Sequence, residues 1–374
     1  MLTKTNVEIQ RIHGLDTLRA AAILLVMMYH YMVFVSNEPS FGLLSEIGWA
    51  GVDLFFVLSG YLIGNQIFSE MRTTEGFSLT RFYARRALRT LPNYYFILAI
   101  YFLFPVAAGG NPLTPLWKFL TFTQNFDLKS GSSFSHAWSL CIEEQFYVLL
   151  PLISLLVLSR LKSARGMWIV IAGTMMICAC MRFLMLDKVG VDGGLYRTYI
   201  YYSSWCRFDE LLPGVALALV KNYHRLVWQD WAAKGGRNLM VGLVLTGVAF
   251  ILFQSFNYDP EFGFSGFTTT FGYTILACGF GYLTLAALSA NSLLARIQIP
   301  GAAALAIWSY ALYLVHKPLM NALIPVFKSS GLGVTGVLSI TLMFVISILA
   351  AYFQFWCIET PFMRLRARFF SSRN

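Results

Sequence analysis

Apolar runs of bilayer-crossing length, about 17 to 25 residues each, recur from one end of this chain to the other. Nothing constrains its fold more. In hydrocarbon every backbone N–H and C=O must find a partner inside the protein, which leaves only helices or a closed barrel. The runs are continuous rather than alternating, as in AAAILLVMMYHYMVFV over residues 20–35, so they predict helices. Ten spans are expected, near 18–36, 47–68, 91–108, 137–158, 167–186, 209–221, 238–256, 267–289, 303–325 and 333–357. The sixth is the weakest, because ELLPGVALALV is short and interrupted by Pro213 and Gly214. With 57% hydrophobic and 12% charged residues and a mean hydropathy of +0.62, a soluble enzyme with one anchor is excluded. The expectation is an all-α polytopic membrane protein of about ten transmembrane helices, one integral-membrane domain over 1–374 with no appended soluble domain.

An even number of spans puts both termini on one side. Lys and Arg gather in alternate connections, such as 72–89, 160–165 and 364–373, and the positive-inside rule makes that side cytoplasmic. The net charge of +10 is therefore a topology signal and does not indicate nucleic-acid binding. The polar opening MLTKTNVEIQRIHG lacks the order of a signal peptide, so the first span is expected to stay. The six cysteines show no zinc-site spacing and read as packing residues, with no metal expected. The segments near 109–136 and 187–208, rich in Gly, Ser, Asn and Tyr, are too short to fold alone and suit a lid or a polar-ligand contact.

Ionisable residues inside a membrane are costly and rare outside cavities and reaction sites. His30 lies twelve residues beyond Leu18, a depth of roughly 18 Å at about 1.5 Å per residue. Counted the same way along their own spans, Asp53, Glu143, Glu144 and His316 reach a similar level in the outer half. The reading is one layer built from four helices. Adjacent Glu143 and Glu144 point about 100° apart, so one is expected to face a cavity while the other pairs structurally. Histidine with a carboxylate is an acid–base set: Asp53 at matching depth would fix the tautomer of His30 and leave its other nitrogen to remove a hydroxyl proton. No Gly-x-Ser-x-Gly elbow appears, so direct attack by an activated hydroxyl fits better than a serine intermediate. At the cytoplasmic mouth, TRFYARRALRTLP sets Arg81, Arg85 and Arg89 on one helical stripe, with Arg86 beside it. Such a set serves either as a phosphate cradle or as ordinary positive-inside residues.

These motifs, in this order, resemble the acyltransferase-3 family of bacterial integral-membrane O-acyltransferases along nearly the whole chain. The resemblance rests on GLDTLRAAAILLVMMYH with its Arg19-x10-His30 spacing, GVDLFFVLSGYLI, FYARRALRTLP, HAWSLCIEEQFYVLLP, YLVHKP and the closing IETP. It implies a multi-pass protein of the bacterial cytoplasmic (inner) membrane. The implied reaction moves a short acyl group from cytoplasmic acyl-CoA, acetyl-CoA foremost, to a hydroxyl of a glycan or lipid-linked sugar acceptor. It also implies that His30 belongs to the proton-transfer machinery and that Arg19, Arg86 and Arg89 serve the donor; the helical stripe adds Arg85 as a further donor-binding candidate. The chain stops at RARFFSSRN where some relatives carry an esterase-like domain, so a second step is expected to need a separate protein. Two other classes compete with this reading. A proton-coupled permease or flippase would use the polar layer as a relay but has no need of a phosphate cradle, and a non-catalytic scaffold leaves the layer unexplained.

Overall fold

The computed structural model describes residues 12–110, 114–129, 131–160 and 162–370. The opening segment through residue 11, on which the absence of a leader is read, and the last four residues lie outside it. The described chain is a bundle of long helices, as the continuous apolar runs require. One short antiparallel hairpin pairs Tyr258–Asp259 with Gly263–Phe264. Among the described residues seven helical runs are long and apolar enough to cross a membrane: His13–Ser36, Ala50–Met71, Ser135–Arg160, Ala164–Val189, Gly235–Ser255, Gly266–Ala287 and Val337–Phe370. The other three expected spans fall on the helices Leu79–Leu103, Leu212–Tyr223 and Ala302–Ser329. The first carries the arginine stripe and the third carries His316, Lys317 and two prolines. Leu212–Tyr223 has 12 residues of its own, but the helical turns Ser204–Arg207 and Phe208–Leu211 run straight into it, and the run over 204–223 rises about 30 Å at about 1.5 Å per residue, the thickness of a bilayer core.

Ala50–Met71 and Gly266–Ala287 form the centre of the bundle, each with 72% of its apolar window buried, against 22% for Ala164–Val189 and Gly235–Ser255. His13–Tyr31 packs between Ala302–Ser329 and Ala50–Met71. Apolar side chains facing lipid give helices no reason to associate, so close packing depends on small residues at the crossings. Gly60 and Gly214 make such a crossing. A Cβ at Gly60 would sit 1.9 Å from the Leu211 carbonyl oxygen, and one at Gly214 would sit 2.0 Å from that of Val57. The interruption that weakened the sixth span in the sequence is what lets that helix lie against the central one.

Candidate active site

Two cavities of similar size open into the bundle, of about 650 and about 610 Å³. The first is lined by Arg19, Arg85, Arg86, Arg89 and Arg366. The helix Leu79–Leu103 starts well before the expected span at residue 91, with Ser78 Oγ accepting from Arg81 N, so the stripe sits inside a long helix. Arg85, Arg86 and Arg89 face the cavity, whereas Arg81 turns away to Glu75 at 3.7 Å. Arg19 donates to Ser309 Oγ at 3.2 Å, and Arg85 lies 3.4 Å from Glu70. Arg86 is set over the ring of Tyr147, 3.7 Å from its centroid, with Glu143 at 4.0 Å and Glu144 at 3.9 Å. Its Nε has no hydrogen-bond partner. Five guanidiniums around one space, of which Arg85 is paired with Glu70 and Arg86 stands about 4 Å from two carboxylates, suit a ligand with several anionic groups.

The adjacent glutamates behave unequally. Glu143 lines the arginine cavity and accepts from Ser59 at 3.3 Å and from the Tyr147 hydroxyl, whereas Glu144 is absent from the lining.

The second cavity is lined by His30 and His136 among Tyr29, Trp49, Trp138, Tyr201, Tyr202 and Tyr273, with Glu46 and Arg197 also on its wall. The two loop-rich segments border it: Gly131, Ser135 and His136 come from one, Tyr196, Arg197, Tyr201 and Tyr202 from the other. Helix His13–Tyr31 carries His30 in its last turn and continues as a π-helical turn over Met32–Ser36. His30 Nδ1 lies 2.6 Å from His316 Nε2, and His316 Nδ1 lies 2.9 Å from the Leu312 carbonyl oxygen. A carbonyl only accepts, so Nδ1 of neutral His316 carries the proton and its Nε2 is bare. His30 then donates from Nδ1 and keeps Nε2 as a free acceptor. One backbone carbonyl thus sets two tautomers in series. Pro318 places a third imidazole: lacking an N–H, it leaves the Leu314 carbonyl without its helical donor, and His136 Nε2 donates there at 3.4 Å.

The expected single layer is not what the structure shows. Asp53 is not beside His30; its Oδ1 accepts from Arg207 Nη2 at 3.0 Å, and Arg207 Nε meets Glu210 at 2.5 Å. Arg182 holds Asp209 through two bonds of 2.8 Å. All five of these side chains are fully buried, a charge cluster behind the aromatic lining of the histidine cavity, where the Arg207 guanidinium lies 4.0 Å from the ring centroid of Tyr273 and 4.7 Å from that of Tyr201. Glu143 and Glu144 turn to Arg86, and only His316 meets His30. The reason is geometric. Helix rise fixes depth but leaves open the direction in which a side chain points, and groups at one level on four helices need not converge.

Several residues at these sites escaped the sequence reading. His136 opens the HAWSLCIEEQFY motif and shared its signal, but depth counting began inside the helix. Arg366 lies far along the chain in RLRARFF and had no spacing to the stripe. Arg207 stood in a connection read as external. Tyr313 and Ser139 are ordinary helix residues by sequence. Among the described residues no group of three or more His, Cys, Asp or Glu is arranged to hold a metal ion.

Comparison with known proteins adds to this geometry. The family described as "Acyltransferase domain" matches residues 12–356. The peptidoglycan O-acetyltransferase OatA of Listeria monocytogenes is 28% identical, over 96% of this chain and 57% of that protein. The O-acetyltransferase OatA of Staphylococcus aureus is 27% identical, over 82% of this chain and 50% of its own length. The chain spans about half the length of these relatives. No solved structure matches it.

Proposed function

This chain belongs to the acyltransferase-domain family, and from that premise we propose that it is a membrane O-acyltransferase moving an acetyl or other short acyl group from acyl-CoA to a hydroxyl of a cell-envelope glycan. The carrying observation is the division of labour between the cavities, with guanidiniums around one and a base-ready imidazole in the other. Arg19, Arg85, Arg86, Arg89 and Arg366 hold the phosphates of the donor, whose long thin arm carries the reactive carbon at its tip. The acceptor enters the aromatic cavity. Peptidoglycan, named in the Listeria relative, is the first acceptor to try.

In this reading His30 Nε2 takes the proton of the acceptor hydroxyl, while His316 holds the Nδ1 side and accepts from the ring as it becomes cationic. The hydroxyl oxygen bonds the acyl carbon, the C–S bond breaks, and His30 returns the proton to the departing sulfur. General acid–base groups of this kind contribute about 10²- to 10⁴-fold in rate. The charge pattern of the connections supports ten spans with both termini cytoplasmic. The arginine cavity then faces the cytoplasm of a bacterium and the histidine cavity the outer side of its inner membrane.

The test is transfer in sealed, oriented proteoliposomes. Acetyl-CoA supplied only to the arginine side, with peptidoglycan fragments only on the other, should yield O-acetylated fragments and free thiol in equal amounts. Product only when both share one side would overturn the through-membrane geometry. Movement of the glycan without thiol release would identify a carrier instead.

A further inference from the structure

The two cavities share a wall one side chain thick. Val52 lines both, while Ser139 and Tyr313 line the arginine cavity and His136 and Trp138 line the other. The Tyr313 hydroxyl lies 2.5 Å from the His136 carbonyl oxygen and 2.7 Å from Ser139 Oγ. Because the carbonyl only accepts, Tyr313 donates to His136 and Ser139 donates to Tyr313. The ring stands with its centroid 5.6 Å from that of His136 and 6.0 Å from that of His316. Tyr313 and Ser139 are both buried. Tyr313 is therefore latched between the arginine cavity that it lines and the imidazoles of His136 and His316.

A base-ready His30 does not discriminate between acceptors. Water admitted to the acyl carbon would lose its proton to the same nitrogen, its oxygen would bond the carbon, the C–S bond would break and the sulfur would leave as thiol, with a free carboxylic acid as the useless product. Resting on the acyltransferase reading above, we propose that Tyr313 determines transfer over hydrolysis: latched, it screens the donor from water in the acceptor cavity, and it swings aside to admit the acyl tip. Two neutral hydrogen bonds are a weak latch beside the barrier of a typical turnover, so opening fits within a catalytic cycle.

The test has a chemical arm and a ligand-free arm, both on the full chain in proteoliposomes. In the first, thiol release from acetyl-CoA alone is measured without any glycan. Tyr313→Ala should raise it about tenfold or more with the KM for acetyl-CoA little changed. Tyr313→Phe, which keeps the ring and loses the latch, should raise it a few-fold. Phe also guards against misfolding of the Ala variant. In the second arm, Leu58 of the arginine cavity is replaced by Cys in a chain with Cys180→Ser and Cys357→Ser. A membrane-impermeant maleimide applied from the histidine side should label Leu58→Cys only when Tyr313→Ala is also present. Unchanged labelling overturns the wall. Labelling that opens while hydrolysis stays flat, in a wild type that consumes acetyl-CoA, overturns the control of transfer. If the wild type releases no thiol even with peptidoglycan fragments, the acetyl-CoA reading fails and transfer control falls with it, while the labelling arm still decides whether Tyr313 is the wall.

Discussion

The arginine and histidine cavities are alike in size and unlike in how they are held. Around the first, charge faces charge across helices: Arg86 sits between two glutamates and a tyrosine ring, each within about 4 Å. Around the second, neutral groups are ordered by single backbone carbonyls, Leu312 for His316 and, through it, His30, and Leu314 for His136. On the proposed function the difference separates binding from chemistry. A polyanion is held by many long side chains, any one of which is partly redundant. Proton transfer depends on one nitrogen being bare and aimed, and loss of one link removes it.

That contrast predicts unequal responses to substitution. His30→Ala should lower turnover most, by about 10²- to 10⁴-fold, while the protein elutes from size exclusion as the wild type does. Near-normal acetylation by this variant would dissolve the distinction between the cavities. His316→Ala should come next, at about 10-fold to 100-fold, because His30 keeps its position but loses the acceptor that fixes its tautomer. A steady-state assay showing the loss in kcat, with the KM for acetyl-CoA unchanged, would sharpen the assignment. Loss confined to that KM would contradict it.

On the other side of the wall, Arg89→Ala should raise the KM for acetyl-CoA by about tenfold, the scale of one charge-assisted hydrogen bond, with kcat nearly unchanged. Added salt should weaken donor binding further, since contacts at an open charged cavity are screened. A kcat effect equal to that of His316→Ala would mean that the cavities do not divide the labour. The smallest kinetic effect is expected for Asp53→Asn. Removing the carboxylate from the fully buried Arg207 should cost about 3 kcal/mol of stability, as for breaking buried ion pairs elsewhere, visible as a lower Tm. The folded fraction should turn over within about twofold of the wild type, as expected for a residue that does not take part in acid–base chemistry. A pH profile altered at unchanged Tm would return Asp53 to the proton-transfer chain.

Much of this was readable beforehand, and the boundary is a physical one. Continuous apolar runs specify helices and their approximate ends because a backbone in lipid has few alternatives. The interruption at Pro213 and Gly214 marked the shortest of the helices that fall on the expected spans. An Arg-rich stripe on one helix remains a stripe wherever the helix packs, and Arg85, Arg86 and Arg89 do line one cavity, together with Arg19 from another helix. His30 drew notice simply because an imidazole in an apolar run is conspicuous.

What the sequence by itself determined, then, is the class of fold and the neighbours set by helical periodicity. Only the tertiary structure decided which groups meet: His30 with His316, Asp53 with Arg207, Glu143 with Tyr147 and Ser59, and Arg366 with a stripe about three quarters of the chain away. The reason lies in the helix itself. A rise of about 1.5 Å per residue fixes height, but the azimuth of a side chain acquires meaning only when a second helix packs against it. That packing is set by details such as a glycine crossing at Gly60 and Gly214 or a carbonyl freed by Pro318.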